Sequence, residues 1–171
     1  TGLPLWYIQR QLALAADAPA PTRSPNDRPR VALIGCGGMG KADARGSQAF
    51  ADIVALCDVD QARLDEARAE FTVDGKAPVG FTDFRKLLER DDIDAVINGT
   101  PDHWHTLINI GAARAGKDIY SEKPLTLTID EGRHVGQAVR DNKVILQTGT
   151  HQRSSQRFRL ACELVRNGRI C

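Results

Sequence analysis

The most constraining stretch of the chain is residues 31–40, where Val31-Ala32-Leu33-Ile34 runs straight into Gly35-Cys36-Gly37-Gly38-Met39-Gly40. A short uninterrupted apolar run is what a strand buried on both faces of a parallel sheet requires. Glycines spaced G-x-G-x-x-G directly after such a strand predict a tight turn that opens a helix. Gly35 permits the turn, Gly37 lets the backbone approach a pyrophosphate, and Gly40 lets the helix pack closely on the strand. The free N–H groups that start this helix, around Gly38 and Met39, then face the phosphates.

The glycine spacing alone is a weak signal, and a turn of this kind without a ligand is the alternative reading. Its context strengthens it. A dinucleotide site needs an acidic residue about 20 positions further on, at the end of the second strand. Ile53-Val54-Ala55-Leu56-Cys57 is that strand and Asp58 is that acid. A carboxylate there accepts from both ribose hydroxyls and repels a 2′-phosphate, so NAD is expected rather than NADP.

Downstream, strands alternate with helices. The pattern predicts a helix over 41–50 and a charged helix over 60–70 with Leu64, Ala67 and Phe71 on one face. It continues with a short strand near Pro78-Val79, a helix over 83–90 capped by Thr82, and strands at 93–97, 118–121 and 144–147. Helices over 102–115, ended by Gly116, and from Thr128 to about Asn142 lie between them. A last helix spans 155–167, ended by Gly168. Such alternation means crossover helices on a parallel sheet, an α/β fold of the doubly wound Rossmann type. We place the dinucleotide-binding domain at 30–150. Residues 151–171 begin a helix that leads out of it.

Residues 1–29 differ. Pro19, Pro21, Pro25 and Pro29 forbid a helix there, and Ala13-Leu14-Ala15 fits the small-residue pattern of a signal-peptidase site. The stretch reads as the tail of an export signal with a spacer, or as an arm packing on the domain or on a partner subunit.

Composition narrows the function classes. Lys plus Arg is 23 and Asp plus Glu is 22, a net charge of +1, which argues against a nucleic-acid partner. No apolar run approaches the ~20 residues of a membrane span. Cys36, Cys57, Cys162 and Cys171 form no CxxC pair, so no metal site is expected. Cys36 and Cys57 read as small buried hydrophobes.

Two motifs lie beyond the turn. Asn98-Gly99-Thr100-Pro101-Asp102-His103-Trp104-His105 follows a strand, where loops of a doubly wound sheet line the ligand crevice. Its imidazoles and indole suit contact with the nicotinamide half or the substrate, or plain packing; the His103 and His105 spacing also suggests a metal, but no carboxylate/His cluster completes it. Asp102 reads as a helix cap. Glu122-Lys123-Pro124 leaves the same edge. By spacing alone it is a surface turn. Beside an oxidised nicotinamide, however, a lysine feels a like charge that favours the neutral amine and hence proton transfer, with Glu122 to position it.

Together, residues 31–40 with Asp58, Thr100-Pro101-Asp102-His103-Trp104-His105, Tyr120-Ser121-Glu122-Lys123-Pro124-Leu125 and Gln147-Thr148-Gly149-Thr150-His151-Gln152-Arg153 resemble the Gfo/Idh/MocA oxidoreductases. The resemblance covers about residues 30–170. It implies an NAD-dependent enzyme acting by hydride transfer on a sugar, polyol or related hydroxyl or carbonyl compound. It implies that Lys123 is the catalytic acid/base, that Pro124 is cis, and that Thr100, Pro101, His105, Glu122 and Lys123 touch the cofactor. It also implies a C-terminal α+β domain that completes the substrate pocket and a homo-oligomer interface. That domain is largely absent from these 171 residues, so the chain is expected to be a fragment or truncated form. The His103-Trp104-His105 loop is similar to a subgroup exported by the twin-arginine route, which implies a periplasmic location, with a cytoplasmic one as the alternative. A redox-neutral NAD-dependent glycoside hydrolase or lyase, and a non-catalytic NAD-binding fragment, are the alternative functions.

Overall fold

The fold begins at Arg30, the first residue of a strand that becomes the centre of the sheet. The computed structural model describes residues 27–170; the expectations for an export signal or arm fall largely outside them. The elements are β1 (Arg30–Ile34), α1 (Gly38–Ser47), β2 (Asp52–Cys57), α2 (Gln61–Glu70), β3 (Val79–Phe81), α3 (Phe84–Leu88) and β4 (Ala95–Asn98). They continue with α4 (Asp102–Arg114), β5 (Asp118–Glu122), α5 (Ile129–Asn142), β6 (Leu146–Gly149), a 3-10 turn (His151–Ser154) and α6 (Gln156–Arg166). Among the described residues no helix is long and apolar enough to cross a membrane.

The six strands are parallel in the order β3-β2-β1-β4-β5-β6. The chain winds outward in one direction from β1, returns to β4 and winds the other way. This is the doubly wound Rossmann topology, whose crevice opens between β1 and β4. The register aligns the strand ends: Ile34 lies opposite Cys57 and Asn98, and Asn98 opposite Ser121. Glu122 lies opposite Gly149. The loops after all these strands therefore leave from one edge.

Strand residues alternate between two apolar layers. Val31, Leu33, Leu56 and Ile97 pack with Ala44, Leu64, Ala67 and Phe71 of the α1/α2 side. Ala32, Ile34, Ala55, Cys57, Val96 and Ile119 pack with Leu87, Ile108, Ala112, Ala113 and Ala138 of the α3/α4/α5 side. Each fully buried large side chain contributes about 1.5–3 kcal/mol. Cys36 and Cys57 are buried free thiols, and burial pushes both up to about 12.

Element boundaries depart from expectation where caps decide them. α1 starts three residues early, at Gly38, so the glycine turn itself supplies its first turn. α3 is capped by Asp83, not Thr82: the Asp83 carboxylate accepts the Arg85 N–H at 2.9 Å. Pro101, not Asp102, holds the N-cap position of α4, and Asp102 sits in its first turn. β6 begins two residues late because Lys143 turns left-handed (φ 55°) and the Val144 N–H closes α5 by donating to the Val139 carbonyl. Thr128 caps α5 as expected, in a reciprocal capping box with Glu131.

The tightest packing is backbone on backbone. Gly35 has φ +92°, and a Cβ on it would lie 2.7 Å from the Gly99 carbonyl carbon. A Cβ on Gly99 would lie 2.5 Å from the Gly40 Cα, and one on Gly40 would collide with the Gly35 carbonyl. The turn after β1, the start of α1 and the end of β4 thus touch through glycines alone. Gly99→Ala should lower unfolding stability by about 1–3 kcal/mol through overpacking. Gly46→Ala, with nothing within 4 Å of its Cβ position and a helical site, should gain about 0.5–1 kcal/mol. Denaturant melts of both variants check this, and equal effects would sink the argument.

Candidate cofactor and catalytic site

Between β1 and β4 lies a cleft of about 690 Å³. Gly35, Gly37, Gly38 and Met39 form one rim, Asp58 to Asp60 the next, and Gly99, Thr100 and Pro101 the opposite one. The N-cap of α1 is Gly37, and no side chain caps that end. A Cβ on Gly37 would have only the Arg63 guanidinium within 4 Å, at 3.8 Å. The helix N-terminus, with its donors and positive dipole end, therefore opens on the cleft and fits a pyrophosphate.

Asp58 is fixed in place. Its Oδ2 accepts the Cys36 N–H at 2.7 Å and its Oδ1 accepts the Asp60 N–H at 2.9 Å. Each oxygen keeps a further lone pair for a ligand hydroxyl. The same wall holds Thr82 to Arg85, Trp104 and Ile108. Trp104 meets Phe84 edge to face with centroids 6.4 Å apart, and the Arg85 guanidinium lies 4.9 Å over the Phe84 ring. The indole that sequence grouped with nicotinamide or substrate thus shares a wall with Asp58. His103 is exposed beside Asp102.

Gly40, His105, Glu122 and Lys123 do not line this cleft. His105 is 1% exposed and acts as a strut. Its Nδ1 lies 2.6 Å from the Pro124 carbonyl oxygen and its Nε2 2.8 Å from that of Thr100. Both ring nitrogens thus face backbone carbonyl oxygens. The Lys123–Pro124 peptide is cis, as the resemblance implies. A buried amide chain runs alongside. The Thr100 hydroxyl donates to Asn98 Oδ1 at 2.6 Å, Asn98 Nδ2 donates to Asn109 Oδ1 at 2.9 Å, and Asn109 Nδ2 donates to Ser121 Oγ at 3.0 Å. It ties the loop after β4 to the strand that carries Glu122 and Lys123.

Lys123 itself is exposed at this edge. Glu122 is 4% exposed and accepts a hydrogen bond from the His151 ring. Asp43 of α1 completes the group: one ligand-type atom from each of Asp43, Glu122 and His151 lies within 4.8 Å of the others. Glu122 and His151 are bonded to each other directly. The cluster brings together positions 43, 122 and 151, and no spacing in the sequence announces it. Asn109 and the wall formed by residues 82–85 escape sequence reading for the same reason: their contacts join elements distant in sequence.

The comparisons agree with this geometry. Residues 29–150 match the family model GFO_IDH_MocA, an oxidoreductase family with an NAD-binding Rossmann fold. A levoglucosan dehydrogenase from Pseudarthrobacter phenanthrenivorans is 32% identical over 146 residues, 82% of this chain and 37% of the relative. A glycosyl hydrolase family 109 protein from Shewanella pealeana is 38% identical over 112 residues, 61% of this chain and 25% of the relative. The scyllo-inositol dehydrogenase of Lactobacillus casei, solved with NAD(H) and scyllo-inositol, superimposes with a TM-score of 0.75 at 30% identity, covering 84% of this chain and 42% of that one. A 3-ketoreductase from Actinomadura kijaniata, solved with NADP, gives 0.72 at 26% identity, covering 83% and 45%. The chain spans under half the length of each of these proteins. Residues 29–150, with their 3-2-1-4-5-6 sheet, glycine turn and cis-proline loop, make this chain a member of the Gfo/Idh/MocA oxidoreductase family.

Proposed function

We propose that the chain is the nucleotide-binding part of an NAD-dependent oxidoreductase acting on a sugar, polyol or related hydroxyl compound. The observation that carries this reading is Asp58, held by two backbone N–H groups at the rim of the cleft beside an uncapped helix N-terminus. Gly37, Gly38 and Met39 would receive the pyrophosphate, and Asp58 the adenosine ribose hydroxyls. A carboxylate fixed there disfavours a 2′-phosphate by charge. Thr82, Phe84 and Trp104 wall the same end.

NAD supplies the hydride acceptor or donor when bound. The chain's own residues do the rest. Thr100 and Pro101 shape the rim between the two halves of the site. His105 and the Asn98–Asn109–Ser121 chain hold that rim in register with the Lys123 turn. Lys123 takes the proton of the reacting hydroxyl, or returns it to a carbonyl in the reverse direction. The second reading, a redox-neutral NAD-dependent glycosidase, draws support from the family 109 relative.

Calorimetric titration of the chain should give tighter binding of NAD than of NADP, by about tenfold or more, a difference of 1.4 kcal/mol. Asp58→Ala should weaken NAD and narrow that gap; an unchanged preference would remove Asp58 from the site. In the complete gene product, Lys123→Met should lower kcat by about 10²–10⁴ while NAD affinity is kept. Net NADH accumulation with substrate supports the dehydrogenase, and turnover without it the glycosidase.

A further inference from the structure

The group formed by Asp43, Glu122 and His151 has no part in the cleft. Glu122 sits at the last residue of β5 and is 4% exposed. His151 opens the 3-10 turn after β6, with its side chain 36% exposed. Asp43 faces them from α1. Their polar atoms lie within 4.8 Å of one another. Gly149 makes room for this: a Cβ there would lie 2.5 Å from Glu122 Oε1 and 2.9 Å from the Tyr120 hydroxyl.

One atom is unexplained. Asp43 Oδ2 is sealed from solvent and no donor reaches it, an arrangement that buried polar atoms rarely tolerate. The nearby ring of His151 is engaged with Glu122. A proton placed between the two carboxyl groups resolves this, because a protonated carboxyl becomes a donor. We propose that Asp43 and Glu122 share one proton, and that His151 links this pair to solvent as the port through which the Lys123 turn exchanges protons.

The charges around the cluster agree. Burial, then the neighbouring Glu122, hold the Asp43 carboxyl above the usual carboxylate range. The hydrogen bond to Glu122 holds the His151 imidazolium above its usual range, against desolvation and an opposing charge from Lys123. Tyr120, facing both carboxyls, is pushed up by burial and by their charge and stays neutral. The groups that face the pair from α1, β5, the Lys123 turn and the 3-10 turn are Tyr120, the His151 imidazolium and the Lys123 ammonium. Without the shared proton the two carboxylates would face each other directly, which close like charges resist.

The port clause rests on the oxidoreductase reading. In hydroxyl oxidation the carbon gives two electrons and one hydrogen as hydride to the nicotinamide, and the oxygen gives its proton to Lys123. That proton must leave before the next turnover, and substrate and nicotinamide bound over the exposed Lys123 would close its direct path to water. His151, 36% exposed, would then release one to bulk water and be reprotonated from the Lys123 side.

Infrared spectroscopy of the chain, prepared in EDTA at neutral pH, tests the pair. The carbonyl stretch of one protonated carboxyl group is expected, lost in Asp43→Asn and kept in the surface control Asp65→Asn. Absence of that band, or a stoichiometric divalent cation retained by the chain, overturns the proposal. Histidine NMR titration should show His151 charged to higher pH in the wild type than in Asp43→Asn; no difference counts against the coupling. In the complete gene product, His151→Ala should lower kcat by roughly 10²-fold, with recovery on adding imidazole. An unaltered pH profile without rescue overturns the port. If no substrate yields NADH but the band persists, the oxidoreductase reading has failed and the shared proton stands.

Discussion

Three glycines in backbone contact set the geometry on which everything else depends. Gly35, Gly40 and Gly99 bring the turn after β1, the start of α1 and the end of β4 closer than any side chain would allow. That approach points the first turn of α1 at the crevice and sets the distance between the two rims of the cleft. A methyl group on Gly40 or Gly99 would push the helix away from the sheet, and one on Gly35 would push the turn off the end of β4. The aim of the helix N-terminus and the packing of the core are therefore one constraint here, met by the same atoms.

A second layer of order is polar. The loop after β4 and the turn after β5 carry the residues that family membership marks, yet neither loop is long enough to have a core of its own. Asn98, Asn109, Ser121 and His105 supply a buried scaffold in their place. Satisfied hydrogen bonds of this kind add little net stability each, but an unpaired member costs more than the bond contributes. The two loops are thus coupled: displacing either one strands a buried donor or acceptor under the other.

The fold was legible because its signals are local. An apolar run followed by spaced glycines, Asp58 at the end of the next run, and alternating helices and strands suffice for the doubly wound sheet. Thr128 reads directly as the cap of α5, and the structure adds Glu131 as its reciprocal partner. Boundaries failed where a neighbouring residue won the cap, as Asp83 did over Thr82. The site was legible only along the glycine turn and Asp58. His105 matched a motif, but its ring is spent on two carbonyls, a role that depends on where Pro124 lies in space. Trp104 moved to the wall of Asp58 because the helical turn of α4 carries it there, beside Phe84 of another segment. Asp43 carries no sequence signal and His151 is only part of a matched segment, since only the order β1-β4-β5-β6 makes them neighbours.

Asp58 has a consequence for how such a protein changes over time. Its two oxygens already bind the backbone at Cys36 and Asp60, so the residue splices the glycine turn to the end of β2 whether or not a nucleotide is present. A replacement without a side-chain acceptor cuts that splice, and even a single remaining oxygen holds only part of it. Substitution at this position therefore acts on the backbone of the turn before it acts on anything the cleft receives.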